Sequence, residues 1–159
     1  MSIEKLSKLI LKLNNLDTFI IDESDKIIAK NQKVLTSQNV QQMEEGKEYT
    51  EGEIEYKHTR KTPTGKYGKY SKGYEKYKEG YGGQVRVVDL HLTGEFHRSI
   101  ALLQMNPGVW RFVSEDEKAP ILIANYGTDI FGIAEDRLDT FSVGMAVELQ
   151  SRVDKYLTI

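Results

Sequence analysis

Three histidines, His58, His91 and His97, with the carboxylates Asp89 and Glu95, are the residues of this chain whose types and spacing could do chemistry. Four of the five fall in one short stretch, Asp89-Leu-His-Leu-Thr-Gly-Glu-Phe-His97. If residues 85–92 form a strand, Asp89 and His91 share a face and His97 follows a turn. Such a set could hold a divalent metal or form an acid–base pair. A metal-dependent nuclease is the sharpest enzymatic reading. No H-E-x-x-H pair, Walker loop or nucleophile elbow accompanies these residues. The simpler expectation is histidines at a surface or an interface, and two carboxylates beside a turn. Thr93-Gly94 then explains itself as a helix N-cap and a tight turn. On that expectation the chain has no catalytic site, metal or cofactor.

The elements that must position these residues belong to a chain of 159 residues. That length is most simply one domain, able to bury about two thirds of its unfolded surface. No secretory signal is expected at the start, and apolar runs such as residues 121–124 are too short to cross a bilayer. Cysteine is absent, which excludes disulfides and thiolate chemistry and fits a reducing compartment. The formal charge of −2 hides a separation. Residues 57–78 carry eight lysines and arginines against one acid, Glu75, so that window is +7 and the rest of the chain −9. A basic segment on an acidic body can meet DNA or the acidic body of a second copy.

Residues 2–45 read as helical. Ile3, Leu6, Leu9, Ile10, Leu13 and Leu16 form a stripe at helical spacing, and Asn14-Asn15 predicts a break. A second helix is expected from residue 17 or 18 to about 38, unless the two are one bent helix. Ile20, Ile27, Asn31, Val34 and Leu35 lie on one side, with Asp22, Glu23, Asp25, Lys26 and Lys30 mostly on the other. A polar tail, 39–45, then reaches Gly46 as a stop.

Residues 84–134 read as a small sheet. Strands are expected over 100–105 and 109–114, joined by the turn Asn106-Pro-Gly108. Trp110, Phe112 and Ser114 fall on one face of the second. A third strand is expected over 119–124, with Pro120 at its edge or start. From Glu135, Leu138, Phe141, Met145, Leu149, Val153 and Leu157 repeat at helical spacing and predict a final helix over 135–157. Gly144 in its middle suggests close approach of a neighbour. The expected fold is therefore α+β, a small antiparallel sheet flanked by N-terminal and C-terminal helices.

Between these parts, residues 46–83 form a Tyr/Lys/Gly-rich segment, expected to be a long extended arm. It holds seven of the nine tyrosines and eight glycines, with Ile54 almost its only aliphatic residue. Tyr70, Tyr74 and Tyr77 allow a short helix over 71–79, and Pro63-Thr-Gly65 reads as a turn. Tyrosine is apolar in body and polar at its tip, so Tyr56, Tyr67, Tyr70, Tyr74, Tyr77 and Tyr81, with Trp110, are interface candidates. The same tyrosines and lysines could instead stack on bases and neutralise phosphates, as in a small nucleic-acid-binding protein. A disordered linker is the third reading.

The stretch Asp89-Leu-His-Leu-Thr-Gly-Glu-Phe-His-Arg-Ser99 resembles the neck and tail-completion proteins of tailed bacteriophages, those of phages infecting Bacteroidetes above all. Ile130-Phe-Gly-Ile-Ala-Glu135, leading into the last helix, belongs to the same resemblance. So do Gln42-Met-Glu-Glu-Gly46 and Tyr70-Ser-Lys-Gly-Tyr-Glu-Lys-Tyr77, and together the pieces span about residues 31–157. The resemblance implies a non-enzymatic virion protein, assembled in the host cytoplasm, that forms a ring at the head–tail junction or the tail end. Its implied partners are further copies of itself and the neighbouring portal, connector and tail proteins around the DNA channel, with no membrane. Thr93, Gly94, Phe131 and Gly132 would then hold turns of the fold, and residues 49–81 would be the main intersubunit surface. The segment is longer and more basic than the simplest members carry.

Overall fold

The computed structural model describes residues 3–57, 65–66 and 69–158, so His58, Pro63 and Tyr67 lie outside the described residues. Helix α1 spans Ile3–Asn14 and α2 spans Leu16–Glu44. Asn15 parts them, its amide donating back to the Leu11 carbonyl at 3.0 Å, a local bond that competes with the helical ladder. Helix α2 continues well past residue 38, to the stop at Gly46. The polar tail is helical because its side chains have distant backbone partners. Asn39, fully buried, donates to the carbonyls of Ile130 at 3.1 Å and Gly132 at 2.6 Å, and Gln42 accepts from the Ala134 N–H at 2.8 Å.

Helix α3 is Lys72–Gly80, capped by the Ser71 hydroxyl, and α4 is the single turn Glu95–Ser99. Strands β1 (Ile100–Asn106) and β2 (Val109–Ser114) pair antiparallel, Ile100 opposite Ser114, with an irregularity at 104–106 before the turn. Among the described residues the sheet has these two strands. Residues 119–124 are not a third; they lie in helix α5, Ala119–Tyr126. Pro120 sits in the first helical turn, where its missing N–H costs nothing, and so short an apolar run has no periodicity to separate strand from helix. Residues 85–92 are not a strand either. The Gln84 side chain accepts from the N–H groups of Arg86 and Val87, and Leu90 turns to φ 53°, so no ladder can form.

Helix α6, Glu135–Leu157, closes the fold against α1 and α2. The Phe19 and Tyr156 rings stack at 4.0 Å, Tyr156 donates to the Lys12 carbonyl at 3.2 Å, and Arg152 pairs with Glu23 and Glu148. Among the described residues no close neighbour meets Gly144, where an added Cβ would find open space. Hydrogen bonds from Lys26 and then Arg152 hold the Glu23 carboxyl below its usual 4.5. The unfolded chain therefore binds more protons than the folded one just below that value. This part of the stability is complete above about pH 4.5 and is lost as pH falls through the folded value. Urea midpoints near neutral pH and in acid should differ less for Glu23→Gln than for the natural chain. An unchanged acid sensitivity would remove the linkage.

The core has two parts. Met43, Ile54, Tyr70, Val88, Phe96 and Ile130 centre the larger, and Leu35, Leu102 and Ile133, with Trp110 and Phe112 against them, form the smaller. Two of the larger set, Ile54 and Tyr70, come from the segment expected to be an extended arm. Its described parts instead fold back on the body. The Tyr49 N–H donates to the Asp129 carbonyl at 3.0 Å, the Lys57 N–H to that of Asn125 at 2.8 Å, and the Tyr70 hydroxyl to that of Val87 at 3.2 Å. One aliphatic side chain and one phenol ring give the segment enough apolar surface to dock.

Candidate functional site

Helix α3 is turned inside out with respect to charge. Glu75 and Lys78 face the body, while Tyr74, Tyr77 and Tyr81 face solvent. Lys78 is only 1% exposed. Its ammonium is held by the Asp89 carboxylate and, at 3.2 Å, by the Tyr70 hydroxyl. Asp89 also accepts from Gln84 Nε2 at 2.7 Å and from the His91 N–H at 3.0 Å. Burial first, and then the Asp89 charge, push the Tyr70 hydroxyl well up, so it stays a neutral donor and acceptor. With every strong partner already engaged, this cluster fixes the 84–91 loop rather than offering a nucleophile or base.

What the loop positions is His91. Its ring lies 5.2 Å from that of His97, centroid to centroid, and both face Glu44 in the last turn of α2. One ligand atom from each of Glu44, His91 and His97 lies within 4.8 Å of the others. His97 is not a surface residue. It is 6% exposed, its ring nitrogens make no well-formed hydrogen bond among the described residues although the Asp89 carbonyl is a weak partner to one of them, and its Nδ1 lies 3.8 Å from Glu44 Oε1. Burial, and then the neighbouring His91, lower its proton affinity, which favours the neutral imidazole. Asp89 and Glu95 do not join this set. Asp89 belongs to Lys78, and Glu95 pairs with Lys118 at 3.2 Å and accepts from the Thr93 hydroxyl at 3.1 Å.

The turn residues sit close by. Gly94, not Thr93, is the N-cap of α4. Its φ of 77° and the His91 ring, 3.0 Å from where a Cβ would stand, both require glycine there. Gly132 passes so close to Tyr49 that a Cβ would be 2.7 Å from it, while its carbonyl receives Asn39. Phe96 and Phe131 meet with centroids 6.1 Å apart, so the two turns share one core.

No family model, curated protein or solved structure matches the chain.

Of the interface candidates, Tyr70 is turned into the core and has no face for a partner. Trp110 is half-buried, its Nε1 donating to Asp25 at 2.7 Å. Tyr56 is exposed and meets Tyr126 edge-on. Tyr74 and Tyr77 on α3 and Tyr81 just past its end form an exposed ladder, with successive centroids 6.4 and 5.0 Å apart. A larger exposed feature is α1, which buries none of its residues in this chain. Ile3, Leu6, Ile10 and Leu13 stand out along its stripe at 85%, 49%, 51% and 49% exposure, and Val143 and Val147 of α6 are exposed as well. Two residues of the site region carried no local signal. Glu44 is far in sequence from the histidines it meets, and Lys78 reads as one of many lysines in a basic segment.

Proposed function

We propose that the chain is a non-enzymatic virion protein of a tailed phage. On this reading copies of it close into a ring at the head–tail junction or the tail end, joining portal-side proteins to the tail around the DNA channel. The observation that carries the assembly half is the apolar stripe of α1, which stays about half exposed. An amphipathic helix gains its stability by burying such a stripe, and contiguous exposed apolar surface of this kind marks an interaction site. The resemblance of residues 89–99 and 130–135 to neck and tail-completion proteins supplies the setting. The packing of Phe96 on Phe131, which joins those two pieces, supports it.

A second copy of the chain is the occupant we assign to the stripe. A cyclic ring needs two different surfaces that close on one another. The α1 stripe is one, and the tyrosine ladder on α3 with its lysines is the other, so the intersubunit surface extends beyond residues 49–81. Opposite charge on the basic segment and the acidic body would set partner and register more than affinity. One observation favours a second reading, nucleic-acid binding: Tyr74, Tyr77 and Tyr81 stand exposed around the exposed Lys76.

Light scattering with negative-stain images separates the two. The natural chain is expected to form closed rings, and Leu6→Glu with Ile10→Glu to be monomeric with its unfolding midpoint little changed. Rings that persist in the double variant would sink the role of α1. A natural chain that stays monomeric at every concentration, yet binds DNA with an affinity falling steeply with salt, would move the function to the second reading.

A further inference from the structure

We propose that Glu44, His91 and His97 form a binding site for a divalent transition-metal ion, with zinc the best fit. The donor set is two imidazoles and a carboxylate, the mixture that zinc takes and that magnesium and calcium avoid. Three protein ligands leave a fourth tetrahedral position for water.

The geometry is close to what such an ion needs. With bonds of about 2.0–2.2 Å, the ligand atoms of a tetrahedral zinc lie roughly 3.4 Å apart. Here all three lie within 4.8 Å of one another, and Glu44 Oε1 to His97 Nδ1 is already 3.8 Å. The remaining contraction falls on Glu44, whose side chain is about half exposed and can rotate, and on the half-buried His91 ring, rather than on the buried His97.

A second observation points the same way. Buried polar atoms are almost always hydrogen-bonded, and one that is not needs a reason. Both nitrogens of His97 are buried at the centre of the set without a well-formed hydrogen bond among the described residues, and the Asp89 carbonyl, a weak partner to one of them, leaves the other for an ion. An ion on one of them supplies the missing partner.

The surrounding fold holds the ligands without spending other residues. His97 is fixed by α4, Glu44 by the end of α2, and His91 by its N–H bond to Asp89, itself locked by Lys78. Gly94 leaves room for the His91 ring. Arg98 approaches from the Gly94 side, but its side chain is exposed and can swing into solvent. An ion here would tie the end of α2 to the loop and to α4, clamping residues 90–99, whose regular structure is the single turn α4. The site does not depend on the ring reading and would exist in a monomer.

The test uses the full chain, stripped with chelator and titrated with zinc chloride by calorimetry and by thermal melting. Cobalt serves as a coloured probe of low coordination number. The expected result is one zinc per chain and a melting midpoint that rises with zinc concentration. Glu44→Gln and His91→Gln change exposed or half-buried side chains, so both should fold. Each should weaken binding by at least about tenfold, because losing a ligand costs no less than losing a group that supports one. Absence of binding and of any midpoint shift in the natural chain would overturn the proposal. So would an equal response in both variants, since the metal would then be bound elsewhere. Repeating the titration on the Leu6→Glu, Ile10→Glu chain excludes an ion held between copies.

Discussion

Replacing Lys78 by methionine is expected to cost about 3–5 kcal/mol of stability, the loss typical when one partner of a buried ion pair is removed. Methionine fills much the same volume, so the cost is not a cavity. It is the Asp89 carboxylate, buried at 4% exposure and stripped of its countercharge. Gln84 and the His91 N–H still donate to that carboxylate, which keeps it structured but not neutralised. The two charges came out of water together, and their attraction mainly offsets that desolvation. Lys78→Met with Asp89→Leu should therefore recover most of the loss. Urea unfolding of the two single variants and the double one closes the cycle. A loss below about 1 kcal/mol for Lys78→Met would mean a solvated pair of the ordinary surface kind. The measurement also bears on the metal proposal, because Asp89 places His91.

Residues whose partners are near in sequence were legible, and those whose partners are far were not. The repeat from Leu138 to Leu157 predicts α6 over its whole length, and Asn106-Pro-Gly108 places both strands of the hairpin. Asn14-Asn15 marks the break between α1 and α2 because the asparagine bond that makes it is local. Asn39 and Gln42 read as a polar tail, since nothing nearby tells that they bond to backbone about ninety residues on. Asp25 was placed on the polar side of α2 for the same reason, yet it is buried under the hairpin. In residues 46–83 the tyrosines and lysines suggested an arm because composition describes an average. Only a distant acid, Asp89, distinguishes Lys78 from the lysines that stay in water. The candidate site divides likewise: His91 and His97 stand out by type, but Glu44 joins them only in three dimensions.

Asp25 carries the second large effect. One carboxylate on α2 accepts from Gln104 Nε2 at 2.6 Å, from the Gly108 N–H at 3.0 Å and from Trp110 Nε1 at 2.7 Å. These donors lie on β1, in the turn and on β2, so a single side chain anchors the whole hairpin to the helix. Asp25→Ala removes all three bonds and leaves the indole and a turn amide without partners. Hydrogen bonds to a charged group contribute about 1.5–3 kcal/mol each and are not additive, so a net loss of about 3 kcal/mol is expected. Trp110→Phe removes one donor and should cost less. Asp25→Asn keeps one acceptor oxygen but turns an NH2 toward donors, and should fall between. Trp110 is the only tryptophan in the chain, so its emission reports the hairpin directly. In Asp25→Ala the emission should shift to the red before the helices melt, because the hairpin then releases ahead of the α2–α6 contact. A single coincident transition with a loss under about 1 kcal/mol would show instead that apolar packing of Trp110 and Phe112 alone holds the sheet to α2.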